Sequence, residues 1–107
     1  MNTDDVRRRL EALGAAMEWI VLVPADTKVD GWRREDKQNL VETSDGYITG
    51  FYERGRLGGG GTFFSDLDAA CQRIAKNSRR MAEDHRKSKA REARWRREAA
   101  EREQVKE

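Results

Sequence analysis

The chain has 107 residues, of which 39% are charged and 36% hydrophobic, so we expect one small domain with a limited core. The longest apolar run, residues 19–23, is too short to cross a bilayer, and the charged N-terminal segment lacks the apolar stretch of a secretory signal. A single cysteine, Cys71, excludes an intramolecular disulfide and a cysteine-based metal cluster. These features predict a cytoplasmic protein that uses neither a membrane nor a cofactor.

The charged residues are unevenly distributed. Residues 1–65 contain 9 basic and 11 acidic side chains, whereas residues 66–107 contain 13 and 9. Within residues 86–97, seven basic residues are interrupted by a single acid, Glu92. A segment of this kind can bind phosphate or an acidic protein surface, or it can be a solvated helix face.

The N-terminal part of the chain predicts a helix followed by a strand. Apolar residues at spacings of three and four predict a helix over residues 3–17, capped by Thr3 or Asp4. Its stripe consists of Val6, Leu10, Leu13 and Met17. The continuous apolar run at residues 19–23 is typical of a central strand covered on both faces, which Pro24 ends.

The middle of the chain predicts a polar loop and three more strands. The loop covers residues 25–36 and carries Trp32, in a stretch that has room for one turn of helix. The three strands are residues 38–43, Tyr47–Glu53 and Thr62–Phe64. The first two should form an antiparallel hairpin, and the five glycines within residues 54–61 indicate a loose loop before the last strand.

The C-terminal part predicts one long helix that begins at a Ser65 or Asp66 cap. Its apolar stripe is Leu67, Cys71, Ile74, Ser78 and Met81. Beyond Met81 the stripe fades while helix-forming residues continue, so we expect a compact domain at residues 1–81 and a charged helical extension at residues 82–107.

This order of elements predicts an α+β fold. It has an N-terminal helix, a four-stranded and mainly antiparallel sheet, and a long C-terminal helix that extends beyond the domain. The residues expected to be buried together are Leu10, Leu13, Trp19, Val21, Leu67, Cys71 and Ile74.

The potential catalytic groups point away from an enzyme. Cys71 lies on the apolar stripe, and the only histidine, His85, is fourteen residues further along the same helix, or about 21 Å away. The glycine run at residues 58–61 is followed by Thr62 and Phe63, not by the Lys-Ser/Thr pair of a phosphate-binding loop. We therefore expect no catalytic, metal or cofactor-binding residues.

Two segments are candidates for binding a partner. The loop around Trp32 is either a solvated acidic loop or a binding loop with an aromatic anchor. The basic helix around Trp95 is either solvated or contacts nucleic acid, where the indole would stack on a base. Together with the turn after the hairpin, the candidate partner-binding residues are Asp30, Trp32, Arg33, Glu35, Asp36, Arg54, Arg56, Arg94, Trp95, Arg96 and Arg97.

A weak local similarity covers about 25 of the 107 residues. The stretch Tyr47-Ile48-Thr49-Gly50-Phe51-Tyr52-Glu53-Arg54-Gly55-Arg56 leads through Phe63 or Phe64 to Asp66-Leu67-Asp68-Ala69-Ala70-Cys71. This unit resembles the strand, Glu-Arg-Gly turn, strand and helix of small immunity proteins encoded beside secreted bacterial toxins. The four-glycine loop and the long charged helix depart from that pattern. The resemblance implies a cytoplasmic protein that binds a toxin domain, occludes its active site and has no activity of its own.

The predicted function is therefore a non-enzymatic protein-binding module of the immunity type. A protein partner, such as a toxin domain, would engage the Trp32 loop or the edge of the hairpin, with the basic helix as a steering surface. The alternative is a nucleic-acid-associated protein that uses the basic C-terminal helix.

Overall fold

The computed structural model describes residues 1–105. The elements in chain order are α1 (Thr3–Ala12), a 3₁₀ turn (Met17–Trp19), β1 (Ile20–Val23), α2 (Gly31–Arg34), β2 (Lys37–Glu42), β3 (Tyr47–Glu53), β4 (Arg56–Leu57), a second 3₁₀ turn (Gly58–Gly60), β5 (Thr62–Phe64) and α3 (Leu67–Val105). The fold is α+β, as predicted. The last two residues of the expected extension at 82–107 lie outside the described residues.

The first helix begins at Thr3, as predicted, but it has a different cap and ends earlier than predicted. Its cap is Asn2, whose Oδ1 accepts hydrogen bonds of 3.1 Å from the N–H groups of Asp4 and Asp5, so the prediction of Thr3 or Asp4 is wrong. The helix stops at Ala12 because Gly14 has a φ of +72°, a conformation that glycine adopts without strain.

The sheet has five strands, and β1 is at its edge. The order is β1-β2-β3, and both β4 and β5 pair with the far side of β3. All pairings are antiparallel except β1 with β2, where Ile20 lies opposite Gln38. The prediction of a central strand at residues 19–23 is therefore wrong. Trp19 belongs to the 3₁₀ turn that precedes β1.

The four glycines form a tight bulge instead of a loose loop. Tyr52 lies opposite Leu57 and Thr49 opposite Thr62, so residues 58–61 face only two residues of β3. Gly61 has a φ of +81°, and a Cβ there would lie 2.5 Å from Ile48 Cγ2. A side chain at this position would therefore push the bulge away from the sheet.

The helices α1 and α3 pack on one face of the sheet and enclose the core there. The buried cluster consists of Val6, Leu10, Ile20, Leu40, Ala70, Cys71, Ile74 and Ala75. Of the residues predicted to be buried together, Leu10, Cys71 and Ile74 are in this cluster, and Leu67 packs against it while partly buried. Leu13 is 40% exposed at the end of α1, so its predicted burial is wrong.

The other two errors in the predicted core are Val21 in β1 and Trp19 in the 3₁₀ turn before it. Ile20 and Leu22 contact the core from β1, and since successive side chains of a strand point to opposite faces, Val21 points away from the helices. Val21 and Trp19 are only half-buried and lie outside the cluster.

Polar contacts tie the helices to the rest of the fold. Ser78 is fully buried on α3, where its hydroxyl accepts a 3.0 Å hydrogen bond from Ala16 N–H and donates one of 2.8 Å to the Ala75 carbonyl. At the other end of the sheet, Glu42 forms a 2.7 Å ion pair with the amino group of Met1 and accepts from Ala25 N–H. Ser78 therefore joins α3 to the segment before the 3₁₀ turn, and Glu42 joins β2 to the N-terminus and to the loop after β1.

The far half of α3 leaves the domain. Every described side chain from Glu83 to Glu103 is exposed, and 39 residues make a helix of about 58 Å. Within residues 1–105, no helix combines the length and apolar character needed to span a membrane.

Candidate protein-binding surface

Trp32 is the most exposed large hydrophobic residue described. It lies on the one-turn helix α2, with 74% of its surface accessible, and the guanidinium of Arg33 lies 5.0 Å from its ring centroid. Exposing an indole to water is unfavourable, and tryptophan and arginine are the residues that most often anchor protein interfaces. The pair therefore has the character of a contact point.

The loop that carries Trp32 is fixed to the sheet by a buried amide. Asn39 of β2 is fully buried; its Nδ2 donates to the carbonyl oxygens of Arg34 (3.1 Å) and Lys37 (2.9 Å), and its Oδ1 accepts from Arg34 Nε at 2.8 Å. The guanidinium of Arg34 also lies 4.3 Å from the ring centroid of Tyr52. Because these bonds hold the end of the loop to the sheet, the backbone next to Trp32 is anchored, which lowers the entropy that the loop loses on binding.

A second set of contacts joins this loop to the turn after β3. Glu35 Oε1 accepts a 2.6 Å hydrogen bond from Arg54 N–H, and Asp36 N–H donates one of 2.8 Å to the Tyr52 carbonyl. Asp36 and Arg54 both have positive φ, at 59° and 55°. The predicted loop residues and the predicted Arg54 turn are therefore parts of one structural unit, in which Glu35 and Asp36 have a supporting role.

A groove of about 500 Å³ runs between Trp32 and the exposed edge of β1. It is lined by Arg7, Ile20, Val21, Leu22, Val29, Trp32, Arg33 and Lys37, and we call it the β1 groove. Ile20, Val21 and Leu22 are consecutive, and their side chains alternate between the two faces of the sheet. A groove that touches all three must therefore lie along the edge of the strand, beside its backbone.

The charge in the β1 groove is of one sign. Its charged residues are Arg7 from α1, Arg33 from α2 and Lys37 from β2, and no carboxylate lines it. None of these three cations forms a salt bridge within the part of the chain that the structure describes. The surface therefore combines an apolar strand edge, an exposed indole and three positive side chains that form no salt bridge among the described residues.

Sequence reasoning missed Arg7, Lys37 and the β1 edge. The residues come from three elements that only the fold brings together, so no local spacing marks them. The sequence feature that indicated this strand was the short apolar run at residues 19–23, but the run does not show which strands lie beside it.

The other candidate residues are placed separately. Asp30 is exposed at the start of α2 and makes no side-chain capping bond. Arg54 and Arg56 border a shallow depression beside the glycine bulge. The hairpin of β2 and β3 has neighbouring strands on both sides, so it offers no free edge.

The basic cluster lies on the exposed part of α3, beyond the residues that pack on the domain. Arg94, Trp95, Arg96 and Arg97 are all exposed, and Trp95 has 71% of its surface accessible. They lie nine to twelve residues beyond His85, or about 13–18 Å along the axis. Arg94 pairs with Glu98 on the same helix at 3.5 Å. The predicted binding residues thus fall into two groups.

The surroundings of Cys71 favour the neutral thiol, whereas a nucleophilic cysteine needs surroundings that favour the thiolate. Cys71 is buried in the core, and burial raises the pKa of its thiol, with the carboxylates of Asp66 and Asp68 acting in the same direction. His85 is fourteen residues away on the same continuous helix. Within residues 1–105, no three His, Cys, Asp or Glu side chains are grouped to hold a metal ion.

No protein-family model, curated protein or solved structure matches this chain.

Proposed function

We propose that this chain is a non-enzymatic protein-binding module that contacts its partner through Trp32 and the β1 groove. The observation that carries the proposal is the combination of 74% exposure of Trp32 with the buried Asn39 amide that fixes its loop. An exposed indole on an anchored loop, beside an apolar strand edge and cations without salt bridges, is typical of an interface anchor.

The partner in this proposal is a toxin domain, and the binding occludes the active site of that domain. This part rests on the resemblance of residues 47–71 to immunity proteins of toxin systems. Residues 47–64 supply β3, β4 and β5, and the turn at Arg54 supports the Trp32 loop through Glu35. A cytoplasmic location belongs to the same proposal, since an immunity protein acts where the toxin would act.

A second candidate function is association with nucleic acid through α3. The exposed basic segment at residues 86–97 and the 71% exposure of Trp95 favour it, because cations can contact phosphates while an indole stacks on a base. Phosphate contacts would make the affinity fall steeply with salt. A gel mobility shift measured over a salt series tests this candidate directly.

The two tryptophans give a matched test of the proposed function. The full-length chain, its Trp32→Ala variant and its Trp95→Ala variant are used as baits in cells of the source organism, and captured proteins are then purified and measured by interferometry. We expect Trp32→Ala to weaken the complex by about 2 kcal/mol or more, or about 30-fold, mainly through faster dissociation. Trp95→Ala removes an equally exposed indole and should leave the affinity within about twofold.

The immunity part of the proposal is tested in growth. Expression of the captured protein alone should inhibit cells, and co-expression of this chain should restore growth, whereas Trp32→Ala should restore it only weakly. Capture that is lost with Trp95→Ala and kept with Trp32→Ala would contradict the proposed surface. Retention of nucleic acid instead of protein would favour the second candidate.

A further inference from the structure

We propose that the β1 groove binds an extended, acidic segment of the partner protein, which adds to the sheet as a strand beside β1. The inference rests on the proposed function and specifies how and to what chemistry the Trp32 surface binds.

The backbone of β1 is open on the side away from β2. The strand pairs only with β2, so half of its backbone hydrogen-bonding groups point away from the sheet. Ile20 N–H donates to the Met17 carbonyl, and within residues 1–105 no other backbone group of Ile20–Val23 has a hydrogen bond outside the ladder with β2. An added strand would supply the missing partners, as in peptide recognition by strand addition.

The two edges of the sheet differ in length and regularity. The opposite edge consists of β4, with two residues, and β5, with three, and the glycine bulge interrupts them. Short, bulged edges resist strand addition. By contrast, β1 is an uninterrupted Ile-Val-Leu-Val segment, without proline or charge, bordered by a groove that can receive side chains.

The positive charge of the β1 groove determines which kind of strand it favours. Arg7, Arg33 and Lys37 line the groove without a salt bridge, so a segment with carboxylates would find three positive partners. A second copy of this chain at the same edge would bring a second set of these cations toward the first, which is unfavourable. The occupant is therefore an acidic segment of a different protein, with an apolar side chain against the Trp32 indole.

A synthetic peptide tests the inference without the natural partner. The probe is a capped eight-residue peptide that alternates valine and glutamate, added to the ¹⁵N-labelled full-length chain. We expect amide shifts at Ile20–Val23 and at the Trp32 indole, together with slower hydrogen exchange along β1. One control peptide replaces glutamate with lysine, and another is N-methylated at every amide. Both should bind at least about tenfold more weakly.

Two paired variants separate groove charge from overall charge. Arg7→Gln with Lys37→Gln should lower the affinity for the valine–glutamate peptide about tenfold. Arg8→Gln with Arg80→Gln removes the same net charge from exposed positions outside the groove and should change the affinity less than twofold. Circular dichroism of both variants establishes that they fold.

Three results would overturn the inference. They are equal binding of the lysine peptide, equal binding of the N-methylated peptide, and shifts confined to β4, β5 or α3. If the peptide does not bind at β1 but a partner is still captured in a Trp32-dependent way, the proposed function stands and only strand addition is rejected. Binding of the peptide at β1 without any Trp32-dependent partner supports the β1 site and rejects the proposed function.

Discussion

The indole of Trp19 meets the imidazole of His85 edge to face, with ring centroids 5.1 Å apart and planes at 62°. Trp19 ends the 3₁₀ turn before β1, and His85 lies on α3 one turn beyond Met81, the last residue of the apolar stripe. Although the His85 side chain is exposed, the pair extends the contact between α3 and the domain by one turn beyond the hydrophobic stripe.

Removing the imidazole should loosen this attachment. We expect His85→Ala to lower the free energy of unfolding by about 1 kcal/mol, because an edge-to-face aromatic pair contributes about 0.5–1.5 kcal/mol beyond the area it buries. His85→Phe keeps a ring in place and should recover most of the loss. Urea unfolding of the two variants checks this, and an equal loss in both would show that the ring contact contributes nothing.

Two leucine-sized residues from the predicted core should behave differently. Ile74 is fully buried, so Ile74→Ala should cost about 2–4 kcal/mol of unfolding free energy. Leu13 is 40% exposed, so Leu13→Ala should cost less than about 1 kcal/mol. Thermal and urea unfolding measure both. If the Ile74→Ala midpoint does not move, the packing of α3 on the sheet is wrong.

The division of the chain into residues 1–81 and 82–107 stays a prediction, and a truncation tests it. Deleting residues 88–107 should leave the melting temperature nearly unchanged, because the described side chains in that stretch are all exposed and bury little apolar area. The measurement is a thermal melt at several protein concentrations. A fall of many degrees would mean that this part of α3 docks on the domain or on a second copy.

Acid should weaken the fold through Glu42. The hydrogen bond from the Met1 amino group, and then that from Ala25 N–H, hold the pKa of the Glu42 carboxyl below its usual 4.5. A carboxyl whose pKa is lower when folded contributes stability above its unfolded value, and this contribution is lost as the pH falls through the folded value.

The variant Glu42→Gln isolates this contribution. The amide still accepts from Ala25 N–H but cannot form the ion pair, so the variant should be less stable than the wild type at pH 7. The difference should shrink as the pH falls below 4.5. Urea unfolding from pH 2 to pH 7 measures it, with Glu18→Gln, an exposed carboxylate, as the control. A difference that stays constant with pH would contradict the assignment.

The basic cluster on α3 should affect how fast a partner arrives. Neutralising Arg94, Arg96 and Arg97 to glutamine should slow association with the captured protein and flatten its dependence on salt, since exposed charges mainly steer encounters. Interferometry over a salt series measures the two rates separately, so slower association in the triple variant can be distinguished from faster dissociation in Trp32→Ala. If the triple variant instead abolishes retention on nucleic acid, and Trp32→Ala alters no protein complex, the nucleic-acid function replaces the proposed one.

The elements with a strong local signal were predictable. Strand Tyr47–Glu53 is found where its aromatic and β-branched residues predict it, and Asp66 caps α3 by accepting from Ala69 N–H at 3.2 Å. The stripe from Leu67 to Met81 correctly placed α3 on the core. Local propensity and periodicity were sufficient because each of these features is set within a few residues.

The order of strands and the composition of the site were not predictable in the same way. A continuous apolar run suits a strand between two neighbours and equally suits an edge strand, so residues 19–23 did not reveal that β1 lies at the edge. Trp32 could be singled out as an exposed aromatic in a polar loop. Arg7 and Lys37 could not, because their positions beside it depend on contacts between elements distant in sequence.

The glycine bulge limits how far the sheet can grow. A sheet with two open edges can join others end over end into an unlimited array, which is the risk that exposed strands carry. Here the glycine bulge divides the β4–β5 side into strands of two and three residues, whereas β1 is a continuous edge of four. Strand addition to this sheet is therefore favoured on one side, and the chain by itself does not template growth in both directions.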